Sequence, residues 1–356
     1  MSLVPQATSP VLSTPTLSAP ALTVASSAPW ACPRRLSRIP SGALIALITL
    51  SLATLIALLH AARLSVALTS SGALRYALVF AILGAVRWSC RRRARASASR
   101  LFWAGADLAG YVALFMAIAL VAAIASYPLA GLSRGFFDAD LQRADLALGF
   151  DWLAWYRFTA AHPLVQMVSR GAYAMIYVSP GLLLAWHAWS GQRAEAHAFL
   201  AAVWLSAWLT LGAFAFMPAV GPFAYLWHAP VAYLPVSDLW QPQLIPALRD
   251  HSFTTIDPGQ LVGLVSAPSF HAASGVLLIA FAARQFATVP RLASVLIAID
   301  VAMLLATPVE GTHYLIDLIL GGLVAGFALF VVARWRSWLH LRALLPAAPG
   351  QTSALA

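Results

Sequence analysis

Two histidines, each at the mouth of an apolar run, are the residues of this chain best suited to chemistry. His271 closes the stretch Pro268-Ser269-Phe270-His271, and His313 opens the stretch His313-Tyr314-Leu315-Ile316-Asp317. His313 and Asp317 stand four apart and share one helical face. A carboxylate there accepts a hydrogen bond from one ring nitrogen and leaves the other directed outward as a nucleophile or base. The same pair also fits an interfacial histidine satisfied by a carboxylate, or two ligands of a metal, although no HExxH-like cluster accompanies it. At His271 a helix entrance offers unpaired first-turn amides and the positive end of the helix dipole. Ser269 and those amides suit phosphate oxygens while His271 exchanges a proton. Taken alone, that segment reads as a serine cap beside an interfacial histidine, and it is His313 and Asp317 on the same face that turn it into a site. Forty-two residues separate the histidines, enough for one helix through a bilayer, a turn at 284–291 and one helix back, which brings both to the same side.

The elements that must position them are membrane helices. Of 356 residues 61% are hydrophobic and 10% charged, and the mean hydropathy is +0.80, whereas soluble domains carry about 25% charged residues. Apolar runs at 41–59, 101–130, 164–189, 198–218, 270–283, 292–308 and 314–333 read as spans, and 71–88, interrupted by Arg75, either spans or lies in the interface. The expected architecture is an all-α polytopic integral membrane protein. Its parts are a disordered tail over 1–40, one or two helices and a basic loop over 41–100, a six-helix catalytic bundle over 101–333, and a C-terminal tail over 334–356.

The +10 net charge comes from 22 basic residues, all arginine. They fall mostly in short loops between apolar runs, where membrane orientation explains them and a nucleic-acid partner does not. Placing Arg87–Arg100 in the cytoplasm puts twelve arginines of the trailing unit inside and four outside, with Arg170 within a span. Both histidine motifs and the long loops 131–163 and 219–266 then face away from the cytoplasm, across a membrane expected to be a bacterial inner or plasma membrane. The second loop carries Phe223, Tyr225, Trp227, Tyr233 and Trp240, which suits an aromatic belt at the interface or a lid over a lipid groove. Cys32 and Cys90 match neither a disulfide framework nor a metal site.

The combination resembles the type 2 phosphatidic acid phosphatase superfamily, in its branch containing inositol phosphorylceramide synthases. Carrying the resemblance are Pro268-Ser269-x-His271, His313-x-x-x-Asp317 at the start of a span, the prolines Pro218 and Pro222, and the run Asp145-Leu146-Ala147-Leu148-Gly149-Phe150-Asp151-Trp152. It implies a metal-independent, cofactor-free transfer through a phosphohistidine. His313 is then the nucleophile, Asp317 its orienter, and His271 the acid for the leaving alkoxide and later the base for the acceptor. Phosphatases of the superfamily have a lysine and an Arg-Pro that this chain lacks, a glycine where Phe270 stands, and an arginine where Thr307 stands. Those departures favour the transferase-like branch, because a phosphodiester presents less charge than a monoester.

Substitute cations follow from position. Arg170, about two turns into its span, and Arg249, in the outer loop, are the expected phosphate-binding arginines beside Ser269. Glu310 is placed to tune the site or meet a headgroup. Asp300 and Asp107 are expected to pair within the bundle, and His162, His187, His197 and His340 are given no role. The expected function is a lipid phosphotransferase or phosphoesterase whose partner is a lipid substrate in the membrane. A lipid phosphate phosphatase and a non-enzymatic transporter or scaffold are the alternatives.

Overall fold

A computed structural model describes residues 38–97, 99–237 and 240–344. Most of the expected N-terminal tail, with Cys32, Arg34 and Arg35, and the end of the expected C-terminal tail lie outside the described residues.

Thirteen α-helices follow one another among the described residues. The first three are long and apolar: α1 (Ser41–Ala61), α2 (Ser71–Ser97) and α3 (Arg100–Leu132). The doubtful 71–88 segment is thus one unbroken helix that continues to Ser97, and Arg75 is accommodated at its exposed face by bonding back to the Ser71 carbonyl at 3.2 Å. Two short helices fill the first long loop, α4 (Asp138–Ala147) and α5 (Trp152–Ala161).

The expected span at 164–189 is not a single helix. It breaks into α6 (Pro163–Tyr173), a 3-10 turn over Ala174–Tyr177, and α7 (Ser179–Ser190). Pro180 has no amide to donate back to Ile176, so the α-helical ladder is interrupted there and restarts with proline in its first turn. Gly191, at φ 71°, closes α7 in the left-handed conformation that a glycine adopts without cost. Next come α8 (Arg193–Phe216), the loop helices α9 (Pro222–Leu226) and α10 (Gln241–Arg249), and then α11 (Phe270–Ala283), α12 (Pro290–Glu310) and α13 (Leu315–Leu344). α13 runs past the expected end at 333.

Six of these helices are long and apolar enough to cross a membrane, and α11 is a shorter apolar helix. Two apolar cores hold the bundle: one joins α1, α3, α7, α8, α11 and α13, the other joins α1, α3 and α8 to the loop after α10. The outward side chains are also apolar, Ile56, Leu78, Leu305, Leu323 and Phe330 among them. An apolar exterior on apolar helices marks an integral membrane protein.

The connector between α1 and α2 is tied to the loop after α10. Ser65 and Val66 pair in parallel with Thr255 and Ile256, and Ser70 donates to Asp257 at 2.6 Å. The aromatics of the 219–266 loop divide accordingly. Phe223 and Tyr233 are buried against Trp152, Tyr156 and Val309, whereas Tyr225 and Trp240 are exposed.

Candidate active site

The close approach of α11 and α13 brings the two histidines together. A Cβ on Gly321 would sit 2.3 Å from the Ser269 carbonyl oxygen and 3.0 Å from the Ala272 methyl. Only glycine admits this contact, the role that the Gly321 and Ala325 stripe suggests in the sequence. The Ser269 amide donates to the Asp317 carbonyl at 3.0 Å, which locks the two helix entrances side by side. Ser269 caps α11 by accepting from the Ala272 amide at 3.3 Å, so its hydroxyl serves the helix in this structure.

His271, in the first turn of α11, and His313, just ahead of α13, have ring centroids 6.3 Å apart. Asp317 Oδ2 lies 3.6 Å from His313 Nδ1, beyond a formed hydrogen bond, and accepts the Tyr314 amide at 3.0 Å. Asp317 is fully buried and His313 is 4% exposed. His271 Nε2, His313 Nδ1 and Asp317 Oδ1 are all buried with no hydrogen-bond partner among the described residues. Buried polar atoms are usually paired, so three orphans within one cluster leave hydrogen-bonding capacity open at this point.

What holds His313 in place is a set of acids whose charges are spent on amides. Asp145 in α4 accepts the amides of Leu315 and Ile316, both at 2.8 Å, and so caps α13 from a helix far away in sequence. Burial raises the Asp145 pKa above the ordinary carboxylate value, a shift the two amides only partly offset. Asp138 accepts the amides of Val220 and Gly221 at 2.9 Å and the Tyr314 hydroxyl at 3.1 Å. Between α12 and α13, Thr312 takes a left-handed φ of 51°, and a Cβ on Gly311 would lie 2.8 Å from His313 Cδ2. The Trp152 indole donates to the Pro308 carbonyl at 2.8 Å, anchoring that turn to α5.

On the other flank, the Tyr173 ring stacks on His271 at 4.3 Å, with its hydroxyl 3.5 Å from His271 Nδ1. Arg170 lies one turn earlier on α6. Its Nε donates to the Tyr233 hydroxyl at 2.8 Å and its Nη2 to the Leu234 carbonyl at 2.6 Å. Tyr233 in turn donates to Glu310 at 2.6 Å, and Ser169 donates to the same carboxylate oxygen. Burial, and then its bond to Glu310, raise the Tyr233 pKa. Glu310 is therefore the hub that joins α6, α12 and the 219–266 loop. Arg170 is exposed, clamping that loop beside the site and not projecting into the bundle interior.

Arg249 stands apart. It donates to Ser133 at 3.0 Å and to the Gly135 carbonyl at 2.8 Å, and its guanidinium covers the Phe136 ring at 4.6 Å. It fixes the end of α3, and no contact joins it to either histidine among the described residues. Asp300 is buried beside Ser179, without a basic partner among the described residues, and Asp107 pairs with Arg193 at 2.6 Å. No group of three or more His, Cys, Asp or Glu is placed to share a metal ion among the described residues. Tyr173, Asp138 and Asp145 escape the sequence reading. Only the Asp145–Trp152 run hints at Asp145, and nothing in the chain's local pattern marks Tyr173 as a stacking partner.

A family model, described as PAP2 superfamily, matches residues 139–334, more than half of the chain. The chain belongs to the PAP2 superfamily. Members of the PAP2 superfamily are generally phosphatases or phosphotransferases, which makes a lipid-directed enzyme of that general kind the coarse assignment. The match takes in both histidine motifs and the α4 clamp, while α1, α2 and α3 precede it. No curated protein and no solved structure matches this PAP2 chain.

Proposed function

We propose that this PAP2 protein is a membrane lipid phosphotransferase or phosphoesterase of the inositol phosphorylceramide synthase-like kind, working through His313. The observation that carries the reading is the pairing of half-buried His271 with buried His313 at 6.3 Å, with Asp317 behind His313. In the first step the free ring nitrogen of His313 attacks the phosphorus of a phospholipid or polyprenyl phosphate. The P–O bond to the leaving group breaks as the P–N bond forms, and His271 gives its proton to the departing alkoxide. In the second step an acceptor alcohol or water gives its proton to His271 and attacks the phosphohistidine, which returns both rings to their starting states.

Asp317 supports the imidazolium character that develops on His313, and Tyr173 holds the His271 ring by stacking. Ser269 and the first amides of α11 are the proposed cradle for the phosphate oxygens, with Arg170, one turn before Tyr173 on α6, the proposed guanidinium. Transfer to an alcohol is favoured over hydrolysis because one exposed arginine suits the single charge of a phosphodiester. The arginine bias supports a histidine end that faces away from the cytoplasm.

The test is covalent capture. Purified protein incubated briefly with a lipid labelled at phosphorus and quenched in base yields label on His313, in the presence of EDTA as in its absence. Label on another residue, or turnover that EDTA abolishes and one divalent ion restores, would overturn the mechanism. Cysteines placed in the 219–266 loop react with an impermeant thiol reagent outside intact cells, and those near 284–291 do not. The reverse pattern would invert the orientation.

A further inference from the structure

The end of the bundle away from the histidines holds a second place built for a ligand. A cavity of about 610 Å³ opens between α1, α2 and α3, within the ~300–1,000 Å³ range of small-molecule sites. Both α1 and α2 rest on α3 with little contact between them, which leaves the gap. Its inner wall is apolar, formed by Ile45, Ile48, Phe80, Leu114 and Ala117, and its mouth is lined by Arg38, Arg87, Arg91, Arg95 and Arg193.

Membrane orientation accounts for arginines in a loop, but not for this arrangement. Arg87, Arg91 and Arg95 are spaced four apart on α2, so they form one stripe of like charges, which by itself destabilises a helix. Arg87 reaches inward: its Nη1 donates to the Ala106 carbonyl at 2.8 Å, and a Cβ on Gly110 would lie 1.8 Å from that nitrogen. Among the described residues the sole acid on the cavity wall is Asp107, and it is taken by Arg193 at 2.6 Å. No ion pair among the described residues involves Arg38, Arg87, Arg91 or Arg95. A second, independent feature points the same way. Tyr111 lines the cavity, is 3% exposed, and its hydroxyl is buried with no partner among the described residues.

We propose that this cavity binds one anionic phospholipid of the bilayer. Its phosphate sits among Arg38, Arg87, Arg91 and Arg95, within reach of the Tyr111 hydroxyl, and an acyl chain follows the apolar wall between α1 and α2. The proposal is independent of the chemistry assigned to the histidines. A cationic mouth above an apolar slot open to the bilayer matches a charged headgroup joined to a chain, whereas a free anion would leave the slot unfilled.

The test is native mass spectrometry of the full chain in neutral detergent, titrated with phosphatidylglycerol, with phosphatidylcholine of the same acyl chains, and with inorganic phosphate. One phosphatidylglycerol per chain is retained at least about tenfold better than phosphatidylcholine, and inorganic phosphate at equal concentration does not displace it. Arg91→Gln with Arg95→Gln lowers phosphatidylglycerol retention to the phosphatidylcholine level. Arg291→Gln with Arg334→Gln, the same charge loss on exposed residues outside the cavity, leaves it intact. Tyr111→Phe removes an unpartnered hydroxyl without a packing cost and lowers retention several-fold. Equal retention of the two lipids, displacement by phosphate, equal losses in the two arginine pairs, or wild-type retention in both cavity variants would each overturn the lipid site.

Discussion

The two ends of this bundle handle charge in opposite ways. At the histidine end, Asp138, Asp145, Asp317 and Glu310 are buried, and apart from the Asp317–His313 approach they face backbone amides and hydroxyls. At the other end, Glu195 meets Arg284 at 3.2 Å and Arg336 at 2.8 Å, Asp107 meets Arg193, and further guanidiniums stand around an open cavity. An amide is fixed in the chain, so a carboxylate that grips two amides fixes a loop with little freedom. An arginine on a long side chain neutralises charge without fixing geometry. The first arrangement suits a site where two rings must hold their separation through a reaction, the second a surface that meets mobile lipids.

The largest test of that contrast is His313→Ala. If the clamped end does the chemistry, this change lowers turnover by more than about 10³-fold while the protein still inserts and extracts as the wild type does. Normal steady-state activity in the purified variant would remove the histidine end from the mechanism. Gly321→Val comes next. The added Cβ meets the Ser269 carbonyl, so α11 and α13 must part and the histidine spacing must change. A displacement on the order of 1 Å costs about 10²-fold in rate, readable as a fall in kcat at unchanged expression.

Arg170→Ala sharpens the comparison within the histidine end. Loss of its bonds to Tyr233 and Leu234, and of the proposed phosphate-binding cation, lowers activity by about tenfold or more, since a charge-assisted hydrogen bond is worth roughly 1.5–3 kcal/mol. Arg249→Ala, measured beside it, falls by less than about threefold, because its guanidinium is committed to Ser133, Gly135 and Phe136. A larger loss for Arg249 than for Arg170 would reverse the assignment of the phosphate-binding cation. The smallest effect belongs to Asp107→Asn. A partly exposed ion pair contributes about 0–1 kcal/mol, so activity holds within about twofold and only the thermal midpoint drops slightly. A collapse of turnover would show that the ends are coupled.

What the sequence determined by itself is what depends on local composition and helical period. Apolar length set α1, α3, α8, α11 and α12 to within a few residues and the start of α13, though not its end, because a bilayer demands an apolar run of fixed length but a helix can continue beyond it. The interval between His271 and His313 put both at one end, and the four-residue steps of His313 to Asp317 and of Gly321 to Ala325 put them on shared helical faces. What only the tertiary structure decided are partners that lie far apart in the chain. Among them are the Asp145 grip on the amides of α13, the Tyr173 ring on His271, and the turn of Arg249 toward the end of α3. A carboxylate or an aromatic ring carries no mark of its partner in its own neighbourhood. Which amide or ring it meets follows from how α4, α6 and α10 pack, and packing responds to the whole chain at once.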